Sequence, residues 1–321
     1  MIAATPALAW LSLTLCLLSA CDPGASPAEA PAPGPATSPA PATSPAPASG
    51  TPHDRARALI EASPFGGQAA TLTAALGPHV QLIPTRAGMD SIPVGASRLA
   101  GRPDLPEGFV WPTFGDEPMA LLAQIDLAQV KAQAPTSALP ASGWLYFFWA
   151  VESGGWGYDA KDVTSFAVRY HDGPVEGLTR TTPPSGLPAQ AQAFEPCSLS
   201  FERGVSLPGW QDLRYPKDLD LEQQLEAWYE LSVRVMGLEP PGGIIHHLLG
   251  HPQLVQDDPR RSAARHRGGE QSDWNLLLQL DTDELGPNWM WGDVGTAYFL
   301  IRDEDLEERR FDNAWLVAQC H

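Results

Sequence analysis

Leu121-Leu122-Ala123-Gln124-Ile125-Asp126 and Leu276-Leu277-Leu278-Gln279-Leu280-Asp281 are near copies of one another, 155 residues apart, and the fold is read outward from that repetition. Two further matches flank them in the same order. Leu99-Ala100-Gly101-Arg102-Pro103 corresponds to Leu248-Leu249-Gly250-His251-Pro252, at an offset of 149. Gly143-Trp144-Leu145-Tyr146-Phe147-Phe148 corresponds to Gly295-Thr296-Ala297-Tyr298-Phe299-Leu300, at 152. Three collinear matches at a nearly constant offset point to an internal duplication, with pseudo-repeats over about 90–170 and 240–321.

Each half reads as one supersecondary unit. A turn at L-x-G-x-P leads into a short apolar run, MALLAQI or WNLLLQL, with the length and bounding turns of a buried strand. An Asp at the strand exit is placed to cap the next turn or helix. After Asp126 the pattern LAQVKAQA predicts a short helix, and after Asp281 TDELGPN predicts a turn. A second, aromatic strand then returns beside the first (WLYFFWA or AYFLI). Two such halves around one core give an α+β, β-rich, multi-sheet body of mixed and mostly antiparallel sheets with a few peripheral helices. Helices are expected over 54–62, 68–76 and 219–237, the last with an apolar stripe at helical spacing and Gly237 as its stop. A strand is expected over 164–170. The polar, arginine-rich stretch 255–272 reads as a mobile loop.

Composition agrees and excludes some functions. The 321 residues include 33 prolines and 29 glycines, which disfavours a helical bundle. A formal charge of −18 repels nucleic acid phosphate, so no nucleic-acid partner is expected.

The N-terminus carries an address. Residues 7–20 are too short to span a bilayer, which takes about 20 residues, but suit the apolar core of a signal peptide. Leu18-Ser19-Ala20-Cys21 resembles the lipobox of bacterial lipoproteins, which implies a signal peptide over 1–20, cleavage before Cys21 and lipidation of that residue. The other reading is an ordinary cleaved signal and a secreted protein. Residues 22–52 hold ten prolines and nine alanines, a composition that favours extended polyproline II and suits a tether reaching at most about 100 Å. On this reading residues 53–321 form a single globular domain, displayed on the bacterial cell envelope by a lipid anchor. Asp22 favours inner-membrane retention under the enterobacterial rule, which is not universal. Cys197 and Cys320 remain in the body. An oxidising compartment would allow them to bridge, and neither lies in a CxxC pair.

The runs SRLAGRPDLPEGFVWP (97–112), LLAQIDL, GWLYFF, HHLLGHPQLVQDD (246–258), WNLLLQLDTD…WMWGDVGTAYFLI…DL and the late AW…QC together resemble the YwqG-like family of bacterial proteins, over about residues 90–321. The resemblance implies a multi-sheet α+β fold with β-sandwich and barrel features built on a duplication, and no settled activity. Some members lie near toxin and immunity genes, which suggests an interaction role. Most carry no lipobox.

Three groups of residues are candidates for chemistry. His247 and His251, four apart behind His246, could share a helix face and hold a divalent metal with Asp257 or Asp258 nearby. Gly243, Gly250 and Pro252 leave no room for such a helix, however, and favour a turn in which His246 and His247 hydrogen-bond neighbouring loops. No metal or other cofactor is therefore expected. Asp126 and Asp281, equivalent in the two halves, could face one another as paired carboxylates do, with Asp116 and Asp293 near them, or could simply cap. Trp111, Trp144, Trp149, Trp156, Trp289 and Trp291 cluster around the repeats. Trp289 and Trp291, in a Gly/Pro/Asn loop beside Asp293, are the ones expected at the surface as a binding platform. Arg203 and the arginines at 260, 261, 265 and 267 could take an acidic ligand but read as a solvated loop. No GxSxG elbow, P-loop or GxGxxG motif is present. Two functions stay open: a non-enzymatic module binding an envelope protein or polysaccharide, and a hydrolase acting through a carboxylate or histidine site. Exposed acids and histidines converging in one cleft would favour the enzyme; the same groups tied into turns would favour the module.

Overall fold

The computed structural model describes residues 50–321 apart from 137, 213–223 and 239–242. The signal, Cys21, nearly all of the tether and the start of the 219–237 helix lie outside the described residues. The main sheet has ten strands: β1 (Gly77–Arg86), β2 (Arg98–Leu99), β3 (Ala120–Asp126), β4 (Trp144–Trp149), β5 (Phe166–His171), β6 (Cys197–Ser206), β7 (His247–Leu249), β8 (Trp274–Asp281), β9 (Thr296–Arg302) and β10 (Trp315–Gln319). Their spatial order is β10-β9-β8-β7-β1-β6-β2-β3-β4-β5. Every neighbouring pair is antiparallel, so the mixed pairing expected from sequence does not occur among the described residues. The sheet curls into a nearly closed, barrel-like body. Its two edges come together where Phe166 of β5 meets Trp315 of β10 edge-on, ring centroids 5.5 Å apart. Two-stranded sheets, Asp104–Pro106 with Leu178–Arg180 and Thr113–Phe114 with Glu117–Pro118, lie beside it.

The order is its own mirror: β1 to β5 in one half stand where β6 to β10 stand in the other. At the centre, β1 and β6 pair over their full length, Gly77 opposite Ser206 through Arg86 opposite Cys197. The equivalence reaches single hydrogen bonds. Gln124 accepts from the Asp104 N–H at 2.7 Å, and Gln279 from the Gln253 N–H at 2.9 Å. The hydroxyl of Tyr146 donates to Asp104 O, that of Tyr298 to Gln253 O. Both first strands carry an irregularity at the matching leucine, Leu122 or Leu277. Both L-x-G-x-P turns put a non-glycine residue at positive φ, Ala100 at 55° and Leu249 at 62°, followed by a glycine at 76° or 74°.

Apolar runs without alternation belong to strands covered on both faces. In β4, Leu145, Phe147 and Trp149 enter the large barrel core, while Trp144, Tyr146 and Phe148 pack outward under Phe109, Trp111 and Phe114. β1 and β6 lie where no strand is expected from the sequence. Pro78 and Pro84 in β1 argue against a central strand, yet β7 pairs only with residues 79–81, so both prolines lie outside that ladder.

Seven α-helices surround the sheet among the described residues: α1 (Pro52–Ala62), α2 (Ala69–Ala74), α3 (Leu127–Gln133), α4 (Ala189–Gln192), α5 (Leu225–Val235), α6 (Arg260–Arg267) and α7 (Asp303–Glu307). Proline at the first position and a Thr51–Asp54 capping box start α1. A second core of Ile60, Phe65, Leu72, Val205, Trp228 and Leu231 binds α1, α2 and α5 to the sheet. The stretch expected as a loop over 255–272 contains α6. Arg260 there is buried, bonded through its guanidinium to Asp258 and to Asp212 at 2.9 Å. That buried triad orders a segment whose composition alone reads as solvated. Among the described residues no helix is long and apolar enough to cross a membrane.

Candidate functional site: the cleft at Asp281

Asp126 and Asp281 leave equivalent strands and do different work. Asp126 accepts from Ala128 N–H at 2.9 Å and starts α3, while its own N–H donates to Ser97 Oγ at 2.8 Å. Burial raises its pKa, against the pull of the Ala128 and Gln129 N–H groups. After Asp281 the chain turns instead of forming a helix, so its carboxylate has no cap to make. Oδ1 accepts from Thr296 Oγ1 at 2.8 Å and Gln279 Nε2 at 3.1 Å, and Oδ2 from Ile245 N–H at 2.8 Å. Burial raises the Asp281 pKa above the ordinary carboxylate value. The two acids are each held within their own half and line no common cleft, so the facing-carboxylate expectation is not met.

Behind Asp281 stands His246. Its Nδ1 accepts the Asp281 N–H at 3.1 Å, so Nε2 carries the proton and donates to Asp283 Oδ2 at 3.2 Å. Asp283 Oδ1 also accepts from Leu285 and Gly286 N–H. Burial would raise Asp283, but the His246 hydrogen bond and these N–H groups hold it below the usual range.

In front of Asp281 is a cleft of about 390 Å³, walled by Tyr229, Ile244, Leu254, Val255 and Val294, with Thr282, Thr296 and His321 as polar lining. Tyr229, Ile244 and Val294 are large side chains left 51%, 40% and 56% exposed, and all three lie on its rim. Val294 holds φ at 51°, a strained setting for a β-branched residue and of the kind that collects at functional sites. Burial, then the nearby Asp281, raises the Tyr229 hydroxyl pKa. A second, apolar cleft of about 280 Å³ beside Trp210 and Trp228 shares Tyr229, Leu254 and Val255 as a common wall.

The other candidates are accounted for. Trp289 and Trp291, expected at the surface, are 1% and 2% exposed. Their indole N–H groups donate to Asp281 O at 2.8 Å and Leu280 O at 3.1 Å, and Phe194 packs edge-on against both. They buttress the end of β8 and offer no platform. Asp293 is exposed on the turn after them and is not itself in the cleft lining, though its carbonyl accepts from the N–H of His321, which is. His247 lies in β7 and His251 beyond the positive-φ turn, so the shared helix face does not exist. His247 Nδ1 donates to Leu249 O at 2.8 Å, its Nε2 faces Gln279 Oε1 at 3.3 Å, and His251 bonds Ala75 O at 3.0 Å. Burial pushes His247 down to about 4. No group of three metal-ligating side chains occurs among the described residues. Cys197 and Cys320 are free thiols. Arg203 lines a third cleft of about 380 Å³ beside the start of α1.

The model of a domain of unknown function, DUF1963, matches residues 97–320. The chain belongs to the DUF1963 family. No curated protein matches it. The DUF1963 match takes in β2 to β10 and omits β1, which the sheet nonetheless places at its centre. Within this DUF1963 domain sequence reasoning found Asp281 but missed Tyr229, Ile244 and Val294, which come from three separate segments and share no spacing. It also missed His79, buried against His247 with ring centroids 5.1 Å apart and with no partner for either ring nitrogen.

Proposed function

We propose that the chain is an envelope lipoprotein of the YwqG-like type, lipidated on Cys21 and tethered by residues 22–52, whose body is a non-enzymatic binding module. The ligand sits in the Asp281 cleft. The observation that carries this reading is the engagement of the candidate acids and histidines. Asp126 caps α3, His246 and His247 are spent on internal hydrogen bonds, and Asp281 is fixed by three protein donors; among the described residues its cleft is lined by His321 but by no second Asp or Glu and by no Cys or Ser. A rigid carboxylate in an apolar-rimmed hollow suits recognition, since small-ligand sites are mostly apolar with a few fixed polar groups. The charge of −18 and the tether favour display towards a basic or neutral partner.

The hydrolase reading draws on one observation, the raised Asp281 carboxyl in a cleft, as a general acid would need. Thermal unfolding of the protein with envelope peptides and glycans, alongside a search for their cleavage products, separates the two. A raised Tm without product supports the module. Product formation that Asp281→Asn abolishes establishes the enzyme.

A further inference from the structure

The cleft has a chemistry beyond its shape. Among the described residues neither it nor the adjoining apolar cleft is lined by a lysine or arginine, and the basic side chain in the wall of the Asp281 cleft is the imidazole of His321. The imidazole behind it gives Asp281 no side-chain hydrogen bond, because His246 Nδ1 accepts the Asp281 backbone N–H and Nε2 points to Asp283. A carboxylate offers two lone-pair positions on each oxygen. Thr296 and Gln279 take both on Oδ1, while Ile245 takes one on Oδ2. One acceptor position on Oδ2 is left over. The partly exposed side chains of Ile244, Val294 and Tyr229 line the same cleft.

Resting on the binding-module reading, we infer that the cleft recognises an organic cation, an ammonium on an apolar chain, which donates to the remaining position on Asp281 Oδ2 while its chain lies along Ile244, Val294 and Tyr229. The ammonium gains a charge-assisted hydrogen bond in a sparsely hydrated site, and the aromatic ring attracts the same charge. Asp126 starts α3 and lines none of the three clefts described above.

The test titrates the full-length protein with hexylammonium, its neutral counterpart hexanol and its anionic counterpart hexanoate, following the Ile245 and Thr296 amide resonances. A lysine-containing peptide and its acetyl-lysine form are further arms. Hexylammonium is expected to bind at least about tenfold more tightly than hexanol, to weaken with added salt, and to lose that preference in Asp281→Asn. If that variant fails to fold, the wild-type preference still decides, and Tyr229→Ala is expected to weaken hexylammonium while sparing the fold. Binding of the lysine peptide alone would place the ammonium on a protein, and of hexylammonium alone on a small molecule. Hexanol or the acetylated peptide binding as well as its charged counterpart, or hexanoate binding better, overturns the inference and leaves the binding cleft standing. Silence from every probe overturns both.

Discussion

Replacing Gln279 with leucine tests whether the duplication is an energetic fact as well as a geometric one. The Gln279 side chain is fully buried. Its Oε1 accepts from Gln253 N–H at 2.9 Å, and its Nε2 donates to Asp281 Oδ1 at 3.1 Å and Ile245 O at 3.4 Å. Leucine fills much the same volume and makes none of these bonds. The Gln253 N–H is orphaned and the Asp281 carboxylate loses a donor, at about 1–3 kcal/mol for each buried group left unpaired. We expect a loss of about 3 kcal/mol, or about 6–12 °C in Tm for a domain of this size. Gln124→Leu removes the equivalent bonds to Asp104 N–H and Ala96 O, at 2.7 Å and 3.0 Å, and is expected to cost the same to within about 1 kcal/mol. Urea unfolding followed by tryptophan fluorescence measures both. The reasoning is refuted if either change costs less than about 0.5 kcal/mol, the level of an ordinary surface substitution, or if the two differ severalfold.

Acid should destabilise the fold through its buried imidazoles. His247 lies near 4 against an ordinary 6.5, and burial depresses His79 as well. The unfolded chain therefore takes up protons that the folded one refuses. Stability contributed above pH 6.5 is lost as the pH falls towards 4, by about 3 kcal/mol for His247 alone. Asp281, raised in the folded state, acts in the opposite sense as it protonates. Urea midpoints that match at pH 7 and 4.5 would contradict this. Gly204→Ala would set a Cβ on the His79 imidazole and should cost about 2 kcal/mol or more, whereas Gly177→Ala meets nothing and should stay within about 0.5 kcal/mol; equal melting temperatures for the two would count against this packing. Cys21→Ser should abolish labelling by a fatty-acid analogue and shift the protein out of the detergent phase; unchanged partitioning would dismiss the lipid anchor.

The strands that sequence exposes are those whose burial leaves no ambiguity. LLAQID and LLLQLD are apolar at nearly every position because the barrel core and an outer layer cover both faces, and no surface segment mimics that. β1 and β6 are harder. Their burial alternates only in part, and prolines at 78 and 84 carry a local signal that the neighbours' register overrides. Trp289 and Trp291 mislead for a related reason. Gly, Pro and Asn around them mark a turn correctly, but the turn folds inward and hands both indole N–H groups to β8 carbonyls. At the site, Asp281 is legible because it repeats Asp126. The difference that frees it, a turn where the other half has α3, shows in sequence only as TDELGPN against LAQVKAQA. Ile244, Tyr229 and Val294 converge through tertiary structure alone.

The order β7-β1-β6-β2 has a consequence for cohesion. Each half's first strand is laid into the other half's sheet: β1 separates β7 from β6, and β6 separates β1 from β2. The two parts are thus interlaced, each lacking a piece that only the other supplies. A protease cut in the connection between β5 and β6 would sever the chain without freeing anything, and the two fragments should copurify as a nicked but intact body. Expressed separately, neither should be soluble alone, and mixing them should restore the fold by strand exchange.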